Sequence, residues 1–184
     1  MMMTRLMVIT AMVLAGSAAH AAEQTDWQVQ FKGLSGVSIS CVRTIKKKYA
    51  SRVCNKLKEH AATKLSKAKI PHEVGETIFS KSKDTAPVPL GTMDNALNLI
   101  IHVRATDPGP LGMDVRVNAS VSYKAAVESG TKGSTPRSGE LLLWQTGATA
   151  AGTGGTKKLE RAMTGAIKKR MNGLLDLLEE NWSR

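Results

Sequence analysis

Cys41 and Cys54 are the only thiols in the 184-residue sequence. They form no C-x-x-C pair, so thiol–disulfide redox catalysis lacks its motif. A structural disulfide between them would suit an oxidising compartment. Beyond the first 21 residues the histidines are His60, His72 and His102. None stands in an H-x-x-x-H or C-x-x-C spacing, so no metal centre is expected. Each reads as an ordinary surface or core histidine. Gly33-Leu34-Ser35-Gly36 lacks the G-x-S-x-G spacing that exposes a serine nucleophile. The run from Gly147 to Gly152 lies between an expected strand and an expected helix, as a phosphate-binding loop would. Yet Thr153 and Gly154 stand where the phosphate-neutralising Lys and its Ser or Thr belong, and Lys157 and Lys158 come several residues late. That run reads as a flexible Gly-rich connection. Catalytic, cofactor-binding and metal-ligating residues are therefore all expected to be absent.

What remains is charge. The net charge is +11 and the sequence pI about 9.9. Residues 43–69 carry Arg43, Lys46, Lys47, Lys48, Arg52, Lys56, Lys58, Lys64, Lys67 and Lys69 against a single acid, Glu59. Nearly all the net charge thus sits in one segment. A basic face of this kind attracts acidic proteins, anionic lipid head groups or polyanionic glycans. Lys47, Lys48, Arg52, Lys56, Lys64 and Lys67 are its candidate partner-binding residues. Nucleic acid is a poor partner: only Tyr49 interleaves the run, and it falls on the apolar stripe, so no stacking platform forms. The last segment is divided as well. Lys157, Lys158, Arg161, Lys168, Lys169 and Arg170 precede Asp176, Glu179 and Glu180. That order runs against the helix dipole, which favours acids first.

Residues 1–21 carry an address. Arg5 precedes an apolar run from Leu6 to Leu14 or Ala15, and Ala19-His20-Ala21 fits a small-x-small cleavage site. This is the layout of a cleaved signal peptide, too short to span a bilayer. Ser17 occupies the place where a lipoprotein would need Cys. No later stretch is apolar enough to cross a membrane. The mature chain, 22–184, is expected to be one domain, and periplasmic if the host is Gram-negative.

The elements that position these residues follow from periodicity. Trp27, Val29 and Phe31 alternate with polar neighbours, which predicts a strand over 27–32. Ile39, Val42, Ile45, Tyr49, Val53, Leu57, Ala61 and Leu65 recur every three or four residues, which predicts a helix from 39 or 40 to 68. Val37, Ile39 and Cys41 also alternate as a strand would. The two readings have opposite consequences. On one helix the cysteines would lie roughly 20 Å apart, far beyond the roughly 4.4–6.8 Å that a disulfide allows. The longer helix is favoured here. Strands follow at 74–80, 96–104 and 113–123, and the last of these has one wet face. A polar loop is expected at 81–93, a break at Pro108-Gly109-Pro110 and an exposed loop at 128–138. Leu141 to Trp144 reads as a buried strand, and 156–182 as a second amphipathic helix.

The order β-α-β-β-β-β-α predicts an α+β, two-layer sandwich: a mainly antiparallel sheet of about five strands packed by two amphipathic helices. Only the first helical crossover is expected to join parallel strands. With aromatics at 4%, aliphatic side chains must fill the core. The functional expectation is an exported, non-catalytic binding or adaptor domain whose basic helix contacts an acidic envelope protein or an anionic surface polymer. Two alternatives stand beside it. One is a peripheral protein held electrostatically on an anionic membrane or glycan surface. The other is an exported enzyme using His102, Asp107 and Glu140.

Overall fold

A computed structural model describes residues 31–80, 92–105, 112–128, 134–151 and 155–182. The leader, residues 27–30 of the expected first strand, most of the loop at 81–93, and Asp107 with the Pro108 to Pro110 break lie outside these residues. Phe31 is helical rather than extended. The Leu34 amide bonds back to its carbonyl, and Gly33 turns the chain at φ +82.

The expected long helix divides in two. Val37–Arg43 is a strand, β1, and the helix α1 begins only at Lys48 and runs to Lys67. Val37, Ile39 and Cys41 enter the core under the helices, while Val42 is buried outside that cluster. Branched Val37, Ile39 and Val42 favour the extended chain. The helical spacing of Ile39, Val42 and Ile45 coincided with a strand and the turn that follows it. This correction brings the cysteines together: Cys41 of β1 is bonded to Cys54 of α1, with Cα atoms 5.8 Å apart.

The remaining elements are β2 (His72–Phe79), β3 (Leu97–Ala105), β4 (Gly112–Glu128), β5 (Ser134–Ala151) and α2 (Thr156–Asn181). They form one mixed sheet in the order β2-β1-β3-β4-β5. β1 is parallel to both β2 and β3, and the longer ladders, β3–β4 and β4–β5, are antiparallel. The fold is the expected α+β arrangement, with the expected order of elements. One connection departs from expectation. β3 follows β2 without a described helix yet runs in the same direction. The 17 residues from 80 to 96 that join them are long enough for the crossover that parallel strands require.

Both helices cover one face. Leu97, Leu99, Ile101 and Val103 of β3 and Met113, Val115, Val117 and Ala119 of β4 meet Leu57, Ala61 and Leu65 of α1 and Met163, Ile167, Met171 and Leu174 of α2 in one aliphatic cluster. On the opposite face Ser38, Ser40, Asn98, Ile100 and Ser120 are also buried. The central strands are thus enclosed on both sides. The edges differ. Leu141 and Leu142, expected in a buried strand, are 53% and 51% exposed. β5 has no outer neighbour among the described residues, and an extra residue, Leu143, bulges out between the pairs Ala119–Trp144 and Ser120–Leu142. Two expected loops are partly strand: 134–138 and Gly147–Ala151 both belong to β5. The long β4 ladder recruits them by pairing along its whole length.

Candidate functional site

The basic segment does not form a single outward face. Arg52 Nε and Lys56 Nζ of α1 converge on the Glu160 carboxylate of α2 at 2.8 and 2.7 Å. One turn further along α1 His60 Nε2 meets Asn172 Oδ1 at 2.8 Å, and a turn beyond that Lys64 Nζ meets Asp176 Oδ1 at 2.9 Å. Lys58 is buried and donates to the Gly75 carbonyl of β2 at 2.8 Å. Three of the six candidate residues, Arg52, Lys56 and Lys64, therefore build the seam between the helices. Lys67 stands in the last turn of α1, where a cation suits the helix dipole. Lys47 and Lys48 are exposed at the start of α1 and make no ion pair among the described residues.

Glu160 is 5% exposed. Burial alone would raise its pKa, but hydrogen bonds and charge from Lys56 and Arg52 outweigh this and hold it below the usual glutamate range. His60 is held below the usual histidine value by burial, which the Asn172 bond opposes and the charges of Lys168 and Lys64 reinforce. The seam thus keeps an ionised glutamate and disfavours a charged histidine.

The seam also fixes polarity. Early residues of α1 meet an early residue of α2, and later residues meet later ones, so the helices run parallel. Their N-termini lie at the same end of the molecule. Neither first turn contains an acid, and neither N-cap residue, Lys47 or Gly155, makes a side-chain capping bond. Lys46, Lys47 and Lys48 stand at one terminus, Lys157, Lys158 and Arg161 at the other, and all six are exposed. Arg43 and Lys46 lie 5.5 and 5.1 Å from the centre of the Phe79 ring, which ties the end of β2 into the same region. Exposed N–H groups and lysines act in the same sense here: both attract negative charge. Sequence reasoning saw the lysines of α2 but had no reason to join them to those of α1. The signal was present, in two helices that both open on cations.

The sheet face away from the helices is polar. Asn98 Nδ2 reaches Ser122 Oγ at 3.4 Å, and Ser120 Oγ reaches Glu140 Oε2 at 3.5 Å. His102 pairs across to Val42 and Arg116. Burial, then Arg104 and Arg116, push its pKa down and favour the neutral ring. Arg116 also lines a shallow cavity of about 270 Å3 with Gln145, Thr146 and Gly147. Its guanidinium is bound to Asp114 at 3.1 Å. The structure does not bring His102 and Glu140 together. His102 is level with Arg116 and Glu140 with Ser122, six residues along β4 or roughly 20 Å. Gly33 to Gly36 serves packing: Ser35 Oγ bonds to the Asp94 carbonyl, and a Cβ on Gly36 would stand 2.6 Å from the Pro71 oxygen. Among the described residues no group of three His, Cys, Asp or Glu side chains could hold a metal ion. No helix among them is long and apolar enough to cross a membrane.

No protein-family model matches the chain, and no curated protein matches it in sequence. The functional reading therefore rests on the sequence and the geometry.

Proposed function

We propose that the chain is exported behind a leader cleaved after Ala21, and that it acts without catalysis as a binding domain for an acidic envelope protein. The contact is the basic end, where the N-termini of α1 and α2 lie together. The observation that carries this reading is the pairing of uncapped, acid-free first turns with exposed Lys46, Lys47, Lys48, Lys157, Lys158 and Arg161. Each lysine there opposes its own helix dipole and its neighbours, so stability alone would select acids at these positions. A partner rich in Asp and Glu removes that conflict on binding. The Cys41–Cys54 disulfide, which the favoured long helix would have excluded, is compatible with an oxidising compartment and so with export.

The test is photo-crosslinking from position 48 in the native host. The expected result is one discrete protein adduct with an acidic surface. It should be lost in the charge-reversed variant Lys47→Glu/Lys48→Glu/Lys157→Glu and weakened by high salt. Export, folding and no protein adduct would overturn the reading in favour of lipid or glycan surfaces. An adduct that survives charge reversal would remove the basic end from the contact.

A further inference from the structure

The Cys41–Cys54 bond encloses a one-sided stretch of the chain. The twelve residues between the cysteines carry Arg43, Lys46, Lys47, Lys48 and Arg52, and no acid. This loop is the α1 half of the basic end, and little in it favours order. Lys47, the N-cap residue of α1, makes no side-chain capping bond, and the first turn holds no acid to answer the helix dipole. Of Lys48 to Ser51 only Ala50 is fully buried. Lys46, Lys47 and Lys48 are consecutive and exposed. Consecutive Cα atoms stand about 3.8 Å apart, well inside the Debye length of about 8 Å at physiological salt, so salt does not remove their repulsion. Arg52 is tied to Glu160, and Arg43 and Lys46 lie against Phe79, but none of these contacts holds Lys47 or Lys48. Arg43 Nη1 donates to the Ile45 carbonyl within the same loop, and its buried Nε has no partner. The disulfide supplies the missing restraint. It closes the loop between the end of β1 and the second turn of α1, with both cysteines fully buried.

We infer that closing this bond arms the basic end: the oxidised chain holds Lys46, Lys47 and Lys48 in one fixed array, whereas the dithiol chain folds its sheet but leaves the enclosed loop and the first turn of α1 without fixed order. The inference rests on the proposed function and names the regulation of that contact. A disordered cationic loop keeps its charge, yet an acidic partner must then order it on binding, and that cost is subtracted from the affinity. The chemistry balances. Two thiols lose two protons and two electrons as the S–S bond forms, and the disulfide of a thiol-oxidising carrier takes them up and becomes a dithiol. In a reducing compartment the thiols persist; in an oxidising one the bond closes. Folding then buries Cys41 and Cys54 completely, so no thiolate reaches the bond and arming runs one way. The sheet does not depend on the device, because the longer ladders, β3–β4 and β4–β5, lie outside the loop.

The experiment compares the oxidised chain with Cys41→Ala/Cys54→Ala. Each is titrated with fluorescein-labelled decaglutamate at low salt, and hydrogen exchange is followed in both. The oxidised chain should bind, and raised salt should weaken it. The variant should bind roughly tenfold more weakly, with β4–β5 still protected and with exchange raised more at 48–53 than at 57–67. Lys47→Ser, added to the variant, supplies a capping hydroxyl and should slow exchange at 49–53 again. The native sequence refolded in reductant gives the dithiol form and should match the variant. Equal binding by the oxidised and cysteine-free chains would overturn the inference and leave the acidic contact standing. So would exchange raised evenly along α1. If the variant and the dithiol form both fail to fold, the inference also falls, because the bond then serves the whole fold. An oxidised chain that ignores decaglutamate would remove the acidic contact, and the inference with it.

Discussion

β2 and β5 close opposite sides of the same sheet, and each carries a bulge, at Gly75–Glu76 in β2 and at Leu143 in β5. Around the β2 bulge stand charge and cover. Lys58 reaches down from α1 to the Gly75 carbonyl, Glu76 is exposed beside it, and Glu73 accepts from the Thr92 hydroxyl at 2.8 Å and the Met93 amide at 3.2 Å. Those bonds, led by that of Thr92, hold Glu73 below the usual carboxylate range although burial opposes them. Next to β2, the disulfide ties β1 to α1. Around the β5 bulge stand leucines. Bulges alone therefore do not decide whether an edge is closed; what surrounds them does. Among the described residues, the seam of α1 and α2 joins the two sides across the helical layer.

Removing the covalent tie should have the largest effect, and on one side. A disulfide spanning 13 residues contributes about 3 kcal/mol by constraining the unfolded chain. Cys41→Ala/Cys54→Ala should lower the urea midpoint by a corresponding amount. Hydrogen exchange should rise first in β1, β2 and α1, while β4–β5 stays protected. Faster exchange in β4–β5 than in β2 would break the comparison, because the β2 side would then be firm without its tie.

How far the sequence reveals this contrast depends on whether a feature is local. α2 was legible to within a residue, because Leu159, Met163, Ile167, Met171, Leu174 and Leu178 form one uninterrupted stripe. β3 was legible because a central strand reads as a continuous apolar run. Val37 to Ile45 was not, since period two and period 3.6 overlap over so few residues, and the disulfide was lost with it. Leu141 to Leu143 misled for a different reason. An apolar run signals a buried strand only when strands flank it, and strand order is a property of the whole sheet. The basic segment, residues 43–69, failed in the same way. Its lysines were read correctly by type, but Arg52, Lys56 and Lys64 have partners 100 or more residues away, which no spacing rule links.

Glu160→Gln probes the seam that couples the two sides. Two charge-assisted bonds to a buried carboxylate are lost, although Arg52 and Lys56 remain about half exposed. The expected cost is about 1–2 kcal/mol at pH 7, read from urea denaturation. The sign of its pH dependence follows from the lowered folded pKa. The contribution is present above the usual glutamate range and disappears as pH falls through the folded value. Native protein and variant should therefore converge in acid. The variant also releases Arg52 and Lys56 next to the basic end, so partner binding should be retained or strengthened. Lost binding would place Glu160 itself in the contact.

Lys58→Met is the smallest change and the sharpest question about edges. The lysine is 8% exposed, and burial lowers its pKa from 10.5, with Glu76 opposing. In the folded state it gives up its proton at a lower pH than in the unfolded chain. Between the folded value and 10.5 the unfolded state holds more protons, so stability rises with pH across that window. Methionine fills much the same space without the charge and should abolish the rise. At neutral pH the loss of one hydrogen bond, about 1 kcal/mol, is offset by the charge no longer buried, and the net change should be small. The telling observation is mass rather than stability. If charge is what closes the β2 edge, the variant exposes a bulged strand beside Val74, itself 51% exposed. It should then begin to associate through β2 at raised concentration. If it does not, the guard is the packing of α1 over the bulge, and the two edges differ by cover rather than by charge.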